Sequence, residues 1–308
     1  MAAYLLMVSK QHVWFDGRFV PSAKAVVPVL THSLQYGSGI FEGIRAYKAK
    51  KGTAIFRLQD HVRRFFNTAE IYDMRLPVDR KTLTDAIIKT VAKNKLDACY
   101  IRPFGFYNDQ RIGLNPIGKK VSVVVAAVPF GNYFTNKEKG IRCSVSSWQR
   151  INSLIMPPEA KGSGNYLNSI LASMEAKKSG ADEAILLSHE GYVAEGPGEN
   201  IFLVQDGRLI TPPKEADILL GVTRDTIIKI AEAEGLVVEE RGVHKEELYT
   251  SDELFFAGTA AELTPIVSVD SRRIGKGKIG PMTRMLLDAY DNIITGSNEE
   301  FSDWLTYV

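Results

Sequence analysis

The chain has 308 residues, of which 45% are hydrophobic and 24% are charged. This balance is typical of a globular protein with room for two domains, and it excludes a disordered chain or an integral membrane protein. The formal net charge is only +2, with basic and acidic residues interleaved, so nucleic acid is not an expected partner.

The opening decapeptide has a short apolar run but neither a basic leading segment nor a small-residue cleavage site, so we do not interpret it as a signal peptide. No stretch reaches the roughly 20 apolar residues that span a bilayer. Cys99 and Cys143 lie in apolar, strand-like segments, which favours reduced, buried thiols over a disulfide. The sequence therefore predicts a cytoplasmic protein.

The N-terminal part of the chain is predicted to mix strands and helices. Asp16 and Gly17 stand between two alternating runs, and both central residues of a type I′ turn need positive φ, so a hairpin is predicted there. Hydrophobic periodicity then predicts two helices followed by two strands: 58–74, 80–95, 98–107 and 119–130.

Residues 129–140 break both periods and are rich in Gly, Asn and charge, so we interpret them as an inter-domain connection. The segments predicted beyond it are a strand at 141–148, a helix at about 165–179, strands around 184–188 and 200–204, a second hairpin at Asp206 and Gly207, a helix ending at Gly235, strands within 236–243 and 252–270, and a final helix near 281–294. Strict βαβ alternation is missing, so the predicted class is α+β, with domains at 1–128 and 141–308.

Two familiar kinds of site are excluded by their context. GLNPIGKK, residues 113–120, resembles a phosphate-binding P-loop, but Lys120 replaces the required Ser or Thr and a valine-rich strand follows instead of a helix. The five histidines are scattered and have no zinc-site spacing, so a metal site is not predicted. We interpret His189 and His244 as surface residues.

Two charged residues stand in constrained segments. Lys161, in PPEAKGSGNYLNS, follows two prolines and precedes two glycines; it is either a solvated loop charge or an amine held in a stiff, close-packed seat. Glu195, in GYVAEGPGENIF, precedes a Gly-Pro-Gly turn; it is either a charged turn residue or a carboxylate turned inward below a closely passing backbone.

Two more segments are suited to an anion. Val222 opens a predicted helix in LLGVTRD, and Gly258 follows a predicted strand in FFAGTAAE. A helix N-terminus attracts an anion by only about 0.3 to 1 kcal/mol, so a phosphate site needs several groups together. Arg64 is a candidate to join them, with a helix-face ion pair as the alternative.

Six segments in chain order carry a resemblance to one family: THSLQYGSGIFEGIRAY, CYIRP, EAKGSGNY, EGPGENIFLV, GVTRD and GTAAELTP. Together they resemble the branched-chain amino acid aminotransferases, class IV enzymes with the two-domain D-amino-acid-aminotransferase-like fold (PLP fold type IV). The resemblance implies pyridoxal 5′-phosphate (PLP) as cofactor. It also implies transamination between leucine, isoleucine or valine and 2-oxoglutarate, which gives branched 2-oxo acids and L-glutamate.

The same resemblance implies the site residues. Lys161 is the catalytic lysine that bonds to the cofactor, and Glu195 pairs with the pyridine nitrogen. The implied cofactor-binding residues are Arg64, Lys161, Tyr166, Glu195, Leu219, Gly221, Val222, Thr223, Gly258 and Thr259. The implied substrate-binding residues are Tyr36, Phe41, Gly43, Tyr100, Arg102, Leu114, Phe130, Tyr133, Thr259 and Ala260.

Within this fold, the nearest alternative is a D-amino acid or (R)-amine transaminase, and an aminodeoxychorismate lyase is a more distant one. Tyr100 and Arg102 alternate onto one strand face, which resembles the branched-chain enzymes rather than the arginine-x-histidine pair of D-amino acid enzymes. A phosphate-ligand binding protein without catalysis is the alternative from another class. In the family, the GLNP loop usually reaches a neighbouring subunit, so the resemblance implies a homodimer or larger homo-oligomer with Leu114 at that site.

Overall fold

A computed structural model of the chain describes residues 11–131, 133–134 and 137–308. Its strands are β1 (His12–Phe15), β2 (Arg18–Pro21), β3 (Gly39–Phe41), β4 (Ile44–Ala49), β5 (Gly52–Phe56), β6 (Cys99–Tyr107), β7 (Val121–Val128), β8 (Ile141–Val145), β9 (Glu183–Leu187), β10 (Val193–Glu195), β11 (Asn200–Gln205), β12 (Arg208–Thr211), β13 (Val238–Glu240), β14 (Glu253–Gly258), β15 (Glu262–Val269), β16 (Arg272–Arg273) and β17 (Leu305–Tyr307).

The helices are α1 (His32–Tyr36), α2 (Leu58–Ile71), α3 (Arg80–Asn94), α4 (Tyr166–Lys178), α5 (Val222–Ala233), α6 (Glu247–Thr250) and α7 (Pro281–Ile294). Short 3₁₀ turns lie at Ser22–Lys24, Lys137–Lys139, Ser163–Asn165, Lys214–Ala216 and Ser302–Trp304. Among the described residues, no helix combines the length and apolar character needed to cross a bilayer.

Both predicted hairpins are confirmed by their backbone angles. Asp16 and Gly17 have φ of 44° and 90° between β1 and β2, and Asp206 and Gly207 have φ of 50° and 73° between β11 and β12. All the helices and strands that periodicity predicts are present, with ends shifted by a few residues. β5, β17, α1 and α6 were not predicted, because elements of three to five residues are too short to show a hydrophobic period.

The chain divides into two compact units. Unit 1 comprises Met1–Gly131, Ala160–Gly164 and Ile293–Val308, and unit 2 comprises Asn132–Glu159 and Asn165–Asn292. The sequence pattern assigns the two short segments of unit 1 to the C-terminal domain. They join unit 1 because Ile40 forms an antiparallel bridge with Gly162 and β17 pairs with β5.

Unit 1 is built on an antiparallel sheet. Its strand order is β17-β5-β4-β6-β7-β1-β2, and β3 also pairs with β6. Helix α2 buries one face through residues at helical spacing, including Leu58, Val62 and Phe65. Those side chains join a core with Ile55 and Ile101 of the sheet. This packing fixes α2 against the strands that carry the site residues of unit 1.

Unit 2 is built on a mixed sheet with strand order β10-β9-β8-β15-β14-β11-β12-β13, and β16 pairs with β15. Because β10 also pairs with β11, the first six strands in this order close into a ring. A core with Ile185, Ile201, Leu203 and Phe256 fills it. Parallel and antiparallel pairings occur together, which confirms the predicted α+β class.

Candidate active site

Lys161 is held in unit 1 by its backbone. Its carbonyl accepts a hydrogen bond from the amide of Phe41 at 3.1 Å, and its own amide donates to Oγ1 of Thr68 at 3.1 Å. The next residue, Gly162, bridges to Ile40 of β3. These contacts fix the backbone of Lys161 to β3 and α2, which favours the constrained seat over the solvated loop position.

Phe41 lies against both Lys161 and Arg102. The Nζ atom of Lys161 is 5.2 Å from the centroid of the Phe41 ring, and the guanidinium carbon of Arg102 is 4.5 Å from the same centroid. Nη2 of Arg102 donates to the hydroxyl of Tyr100 at 3.1 Å, which confirms that the two share one face of β6. Phe130 packs on Tyr100 with ring centroids 5.0 Å apart. Unit 1 thus brings these five predicted residues into one cluster.

The space beside Gly43 is taken by Tyr100, because a Cβ atom added to Gly43 would overlap with the Tyr100 hydroxyl. Arg45, which the sequence did not point to, is paired with Tyr100 in the register of β4 and β6. It is buried, and its guanidinium carbon lies 5.3 Å from the Phe130 ring and 5.1 Å from the Tyr47 ring. The sequence signal that could have identified Arg45 is its position two residues after Gly43, because alternate residues of a strand share a face.

Arg64 projects from α2 onto a buried carboxylate. It donates from Nε to Oε1 of Glu42 at 2.6 Å and from Nη2 to Oε2 at 2.9 Å. Burial would raise the pKa of Glu42, but the Arg64 charge and the hydrogen bonds of Arg64 and His61 hold it well below its usual range. Glu42 is therefore ionised, and the helix-face ion pair that the sequence left as the alternative for Arg64 is present, with a buried partner. Neither Glu42 nor His61 was predicted.

His61 completes this arrangement, since its Nδ1 lies 2.7 Å from Oε2 of Glu42. Burial lowers the pKa of His61, and the charges of Arg64 and Lys161 lower it too, which outweighs the effect of Glu42. The imidazole is therefore neutral at neutral pH. A carboxylate only accepts hydrogen bonds, so Nδ1 carries the proton that it donates.

Glu195 ends β10 in unit 2 with its carboxylate turned inward. Oε1 accepts from Nε of Arg150 at 2.7 Å, and Oε2 accepts from Nδ2 of Asn200 and from the amide of Leu219, both at 3.1 Å. The residue is 5% exposed. The interpretation as a charged turn residue is therefore wrong. Arg150 and Asn200 were not predicted; Asn200 lies in the Glu195 motif, whereas the sequence around Arg150 gives no signal.

Helix α5 begins beside this carboxylate. Gly221 precedes its first turn without a side-chain cap, and a Cβ atom there would overlap with Oδ1 of Asn200. Val222 and Thr223 are buried at the start of the helix. Such a terminus presents backbone N–H groups and a partial positive charge to an anion.

Gly258 ends β14 against the turn that follows Glu195. A Cβ atom on Gly258 would lie 3.2 Å from both Cγ of Glu199 and the carbonyl oxygen of Gly198. Thr259 and Ala260 follow in the connection to β15. The close approach of Gly258 to Glu199 links this connection to the segment that carries Glu195.

Four further predicted residues have less enclosed positions. Tyr166 is the first residue of α4, Tyr133 is exposed beside Phe134, and Tyr36 and Leu114 are exposed in unit 1.

Within the described part of the chain, no three His, Cys, Asp or Glu side chains are grouped to hold a metal ion.

Known proteins are similar to this chain in sequence and fold. The family described as Amino-transferase class IV matches residues 39–269. A branched-chain-amino-acid aminotransferase of Pseudomonas aeruginosa is 45% identical over 298 residues, covering 96% of this chain and 97% of that protein.

Two solved structures are similar over nearly their whole length. The branched-chain aminotransferase of Thermoproteus uzoniensis with norvaline has a TM-score of 0.92 and 44% identity, covering 96% of this chain and 98% of that chain. The T.th. branched-chain amino acid aminotransferase complexed with N-(5′-phosphopyridoxyl)-L-glutamate has a TM-score of 0.94 and 44% identity, covering 97% of this chain and 99% of that chain. The chain therefore belongs to the class IV aminotransferases and, within them, to the branched-chain amino acid aminotransferases.

Proposed function

We propose that this enzyme transfers the amino group of L-leucine, L-isoleucine or L-valine to 2-oxoglutarate with PLP as cofactor, giving branched 2-oxo acids and L-glutamate. The observation that carries this proposal is the contact of Lys161 and Arg102 with one ring, that of Phe41. A reactive amine and a carboxylate-binding guanidinium then share an aromatic surface on which an apolar substrate side chain can pack.

The polar groups near Glu195 and at the start of α5 fit PLP. Glu195 offers a buried carboxylate to a protonated ring nitrogen, and α5 begins without a side-chain cap, as an anion site requires. Nη1 of Arg150 is buried without a hydrogen-bond partner among the described residues, which suits a neighbouring polar group. When bound, PLP supplies an electron sink for the negative charge that develops at the substrate Cα.

The chain's own residues hold the reacting groups. Lys161 would hold the cofactor until the substrate amine displaces it, and its freed amine would then take the proton from the substrate Cα, which needs an amine at a fixed distance and angle. Glu195 holds a proton on the ring nitrogen by its negative charge. The phosphate is held by Arg64, by the helix-terminal amides of Val222 and Thr223, and by Gly258 and Thr259. Tyr166 forms a hydrogen bond with the ring hydroxyl. Leu219 and Gly221 shape the same site.

One set of residues has to accept both leucine and glutamate. A buried carboxylate without a partner is costly, so the glutamate side chain needs a cation. We assign this role to Arg102, while Tyr100 and the backbone near Thr259 and Ala260 hold the α-carboxylate of either substrate. Phe41, Gly43, Phe130, Tyr36 and Tyr133 form the apolar remainder. One related structure contains norvaline and another contains N-(5′-phosphopyridoxyl)-L-glutamate, which supports both kinds of substrate.

We also propose a homodimer or larger homo-oligomer. The GLNP loop is anchored at its base, because Nε2 of His32 lies 3.1 Å from the carbonyl oxygen of Gly113. Its apolar side chains point outward: Ile112, Leu114 and Ile117 are 78%, 76% and 83% exposed. Exposed apolar residues concentrated in one anchored loop favour a protein partner, here a second copy. A cytoplasmic location is supported by the two free, buried cysteines.

Stereospecific transamination tests the proposed reaction. L-Leucine with 2-oxoglutarate should give L-glutamate, whereas D-alanine and (R)-1-phenylethylamine should give little product. Turnover of either D-alanine or (R)-1-phenylethylamine in preference to L-leucine would favour the D-amino acid or (R)-amine alternative. A colourless, inactive protein that retains a phosphate ligand would favour a binding protein.

A further inference from the structure

On the basis of the proposed role of Lys161, we infer that Thr68 is a positioning residue for that lysine. Oγ1 of Thr68 accepts the backbone hydrogen bond of Lys161 at 3.1 Å across 93 positions of sequence. Thr68 is only 1% exposed and lies on the buried face of α2, which also carries His61 and Phe65. Its hydroxyl therefore has a defined direction and little competition from solvent.

A second contact of α2 lies next to the first. Tyr72 follows the end of α2, and a Cβ atom on Gly162 would lie only 2.7 Å from its ring. A side chain at position 162 would therefore force the Tyr72 ring to move. Thr68 binds the amide of Lys161 while Tyr72 packs on the following residue, so both contacts locate the same short backbone segment.

Together with the hydrogen bond from Phe41, the hydrogen bond to Thr68 fixes the backbone of the reactive lysine. The Lys161 carbonyl is held by Phe41 and its amide by Thr68, so both sides of its backbone are fixed. Arg64 lies four residues before Thr68, one turn earlier on α2. One rigid helix therefore sets the separation between the Arg64 side chain and the lysine backbone.

This separation matters for bonding to PLP. The Lys161 amine adds to the aldehyde carbon of PLP, a carbon–nitrogen double bond replaces the carbon–oxygen bond, and one water leaves. The equilibrium depends on the effective concentration of the correctly oriented amine. A displacement of about 1 Å can lower that effective concentration by up to about 100-fold. Pyridoxamine 5′-phosphate has an amine in place of the aldehyde, so its binding does not involve this bond.

The test compares Thr68→Val, which keeps the side-chain shape but removes the acceptor, with Thr68→Ser, which keeps the hydroxyl. Thr90→Val is the matched control, because Thr90 is also a fully buried helix threonine of unit 1 and its hydroxyl bonds to Ala86 of its own helix. Dissociation constants for PLP and for pyridoxamine 5′-phosphate are measured by equilibrium dialysis. Borohydride reduction and peptide mapping then locate the covalently fixed cofactor.

We expect Thr68→Val to bind PLP about tenfold more weakly while its affinity for pyridoxamine 5′-phosphate stays unchanged. Thr68→Ser and Thr90→Val should match the wild type with both ligands. Equal weakening of both ligands in Thr68→Val, or no weakening, would overturn the positioning role. If the wild type were fixed at another lysine, the proposed function of Lys161 would fail instead, which is a separate outcome.

Discussion

Arg64 and Glu42 form a two-point ion pair in unit 1, with the carboxylate fully buried and the guanidinium side chain 14% exposed. Such a pair fixes the plane of the guanidinium, because two parallel hydrogen bonds remove its rotation. Arg64 therefore stabilises the fold in addition to its proposed contact with the phosphate of PLP. Its replacement should be felt in both stability and cofactor retention.

Arg64→Ala should lower the free energy of unfolding of the cofactor-free protein by about 3 to 5 kcal/mol, since it leaves a buried carboxylate without its partner. It should also weaken retention of PLP. The neighbouring Arg63→Ala is the control, because Arg63 pairs with Asp60 and its side chain is 59% exposed. Urea unfolding and dialysis of both variants provide the measurement. Equal unfolding midpoints for the two variants would contradict the claim that Arg64 stabilises the folded protein.

Acidification should destabilise the protein in two steps. His61 has a lowered folded pKa, so below its unfolded pKa of about 6.5 the unfolded chain binds more protons and the free energy of unfolding decreases as pH falls. The slope of this first step is at most about 1.4 kcal/mol per pH unit. Glu42 has a depressed folded pKa, so its contribution is complete above an unfolded pKa of about 4.3 and is lost as pH falls further.

His61→Asn tests the first step, because asparagine can donate to Glu42 but does not titrate. Urea unfolding at several pH values between about 7.5 and 5 should give a flatter dependence for the variant than for the wild type. Only the slopes are compared, so a general loss of stability does not affect the result. Identical slopes would show that His61 does not take up a proton on unfolding.

Glu195→Gln should slow turnover by at least about 100-fold, because a neutral amide cannot hold a proton on the ring nitrogen of PLP. Glutamine keeps the size of the side chain and one acceptor oxygen, which can still accept from Arg150, so the fold and the bound cofactor should persist. Exchange of the substrate Cα hydrogen with deuterated solvent isolates the affected step. Glu190→Gln, at an exposed position before β10, is the matched control. Undiminished exchange in Glu195→Gln would rule out the proposed role.

Arg102→Met should separate the two half-reactions. Methionine has a similar length without the charge, so the glutamate half-reaction should lose about 2 to 5 kcal/mol of transition-state stabilisation. The leucine half-reaction should lose much less, because its side chain makes no ion pair. Single-turnover rates with each amino acid measure the difference. Equal losses would mean that Arg102 binds the α-carboxylate or supports β6 through its bond to Tyr100.

The sequence alone determined the features that depend on neighbouring residues. The Asp16-Gly17 and Asp206-Gly207 hairpins follow from residues that tolerate positive φ, and the long helices follow from apolar spacing. The motif around Lys161 and the tyrosine-x-arginine pair on β6 were also readable, because each is local. These local signals were sufficient for the fold class and for the family.

Only the tertiary structure decided which groups hold the candidate site residues. Thr68 meets Lys161 across 93 positions of sequence, Arg150 meets Glu195 across 45, and Arg64 meets Glu42 across 22. A polar side chain has no periodic signature for its partner, since the partner is chosen by burial: a carboxylate or amide removed from water must find whichever donor or acceptor the fold brings within about 3 Å. That choice is made by packing, because the elements which carry the two groups are brought together by the apolar core rather than by the chain between them.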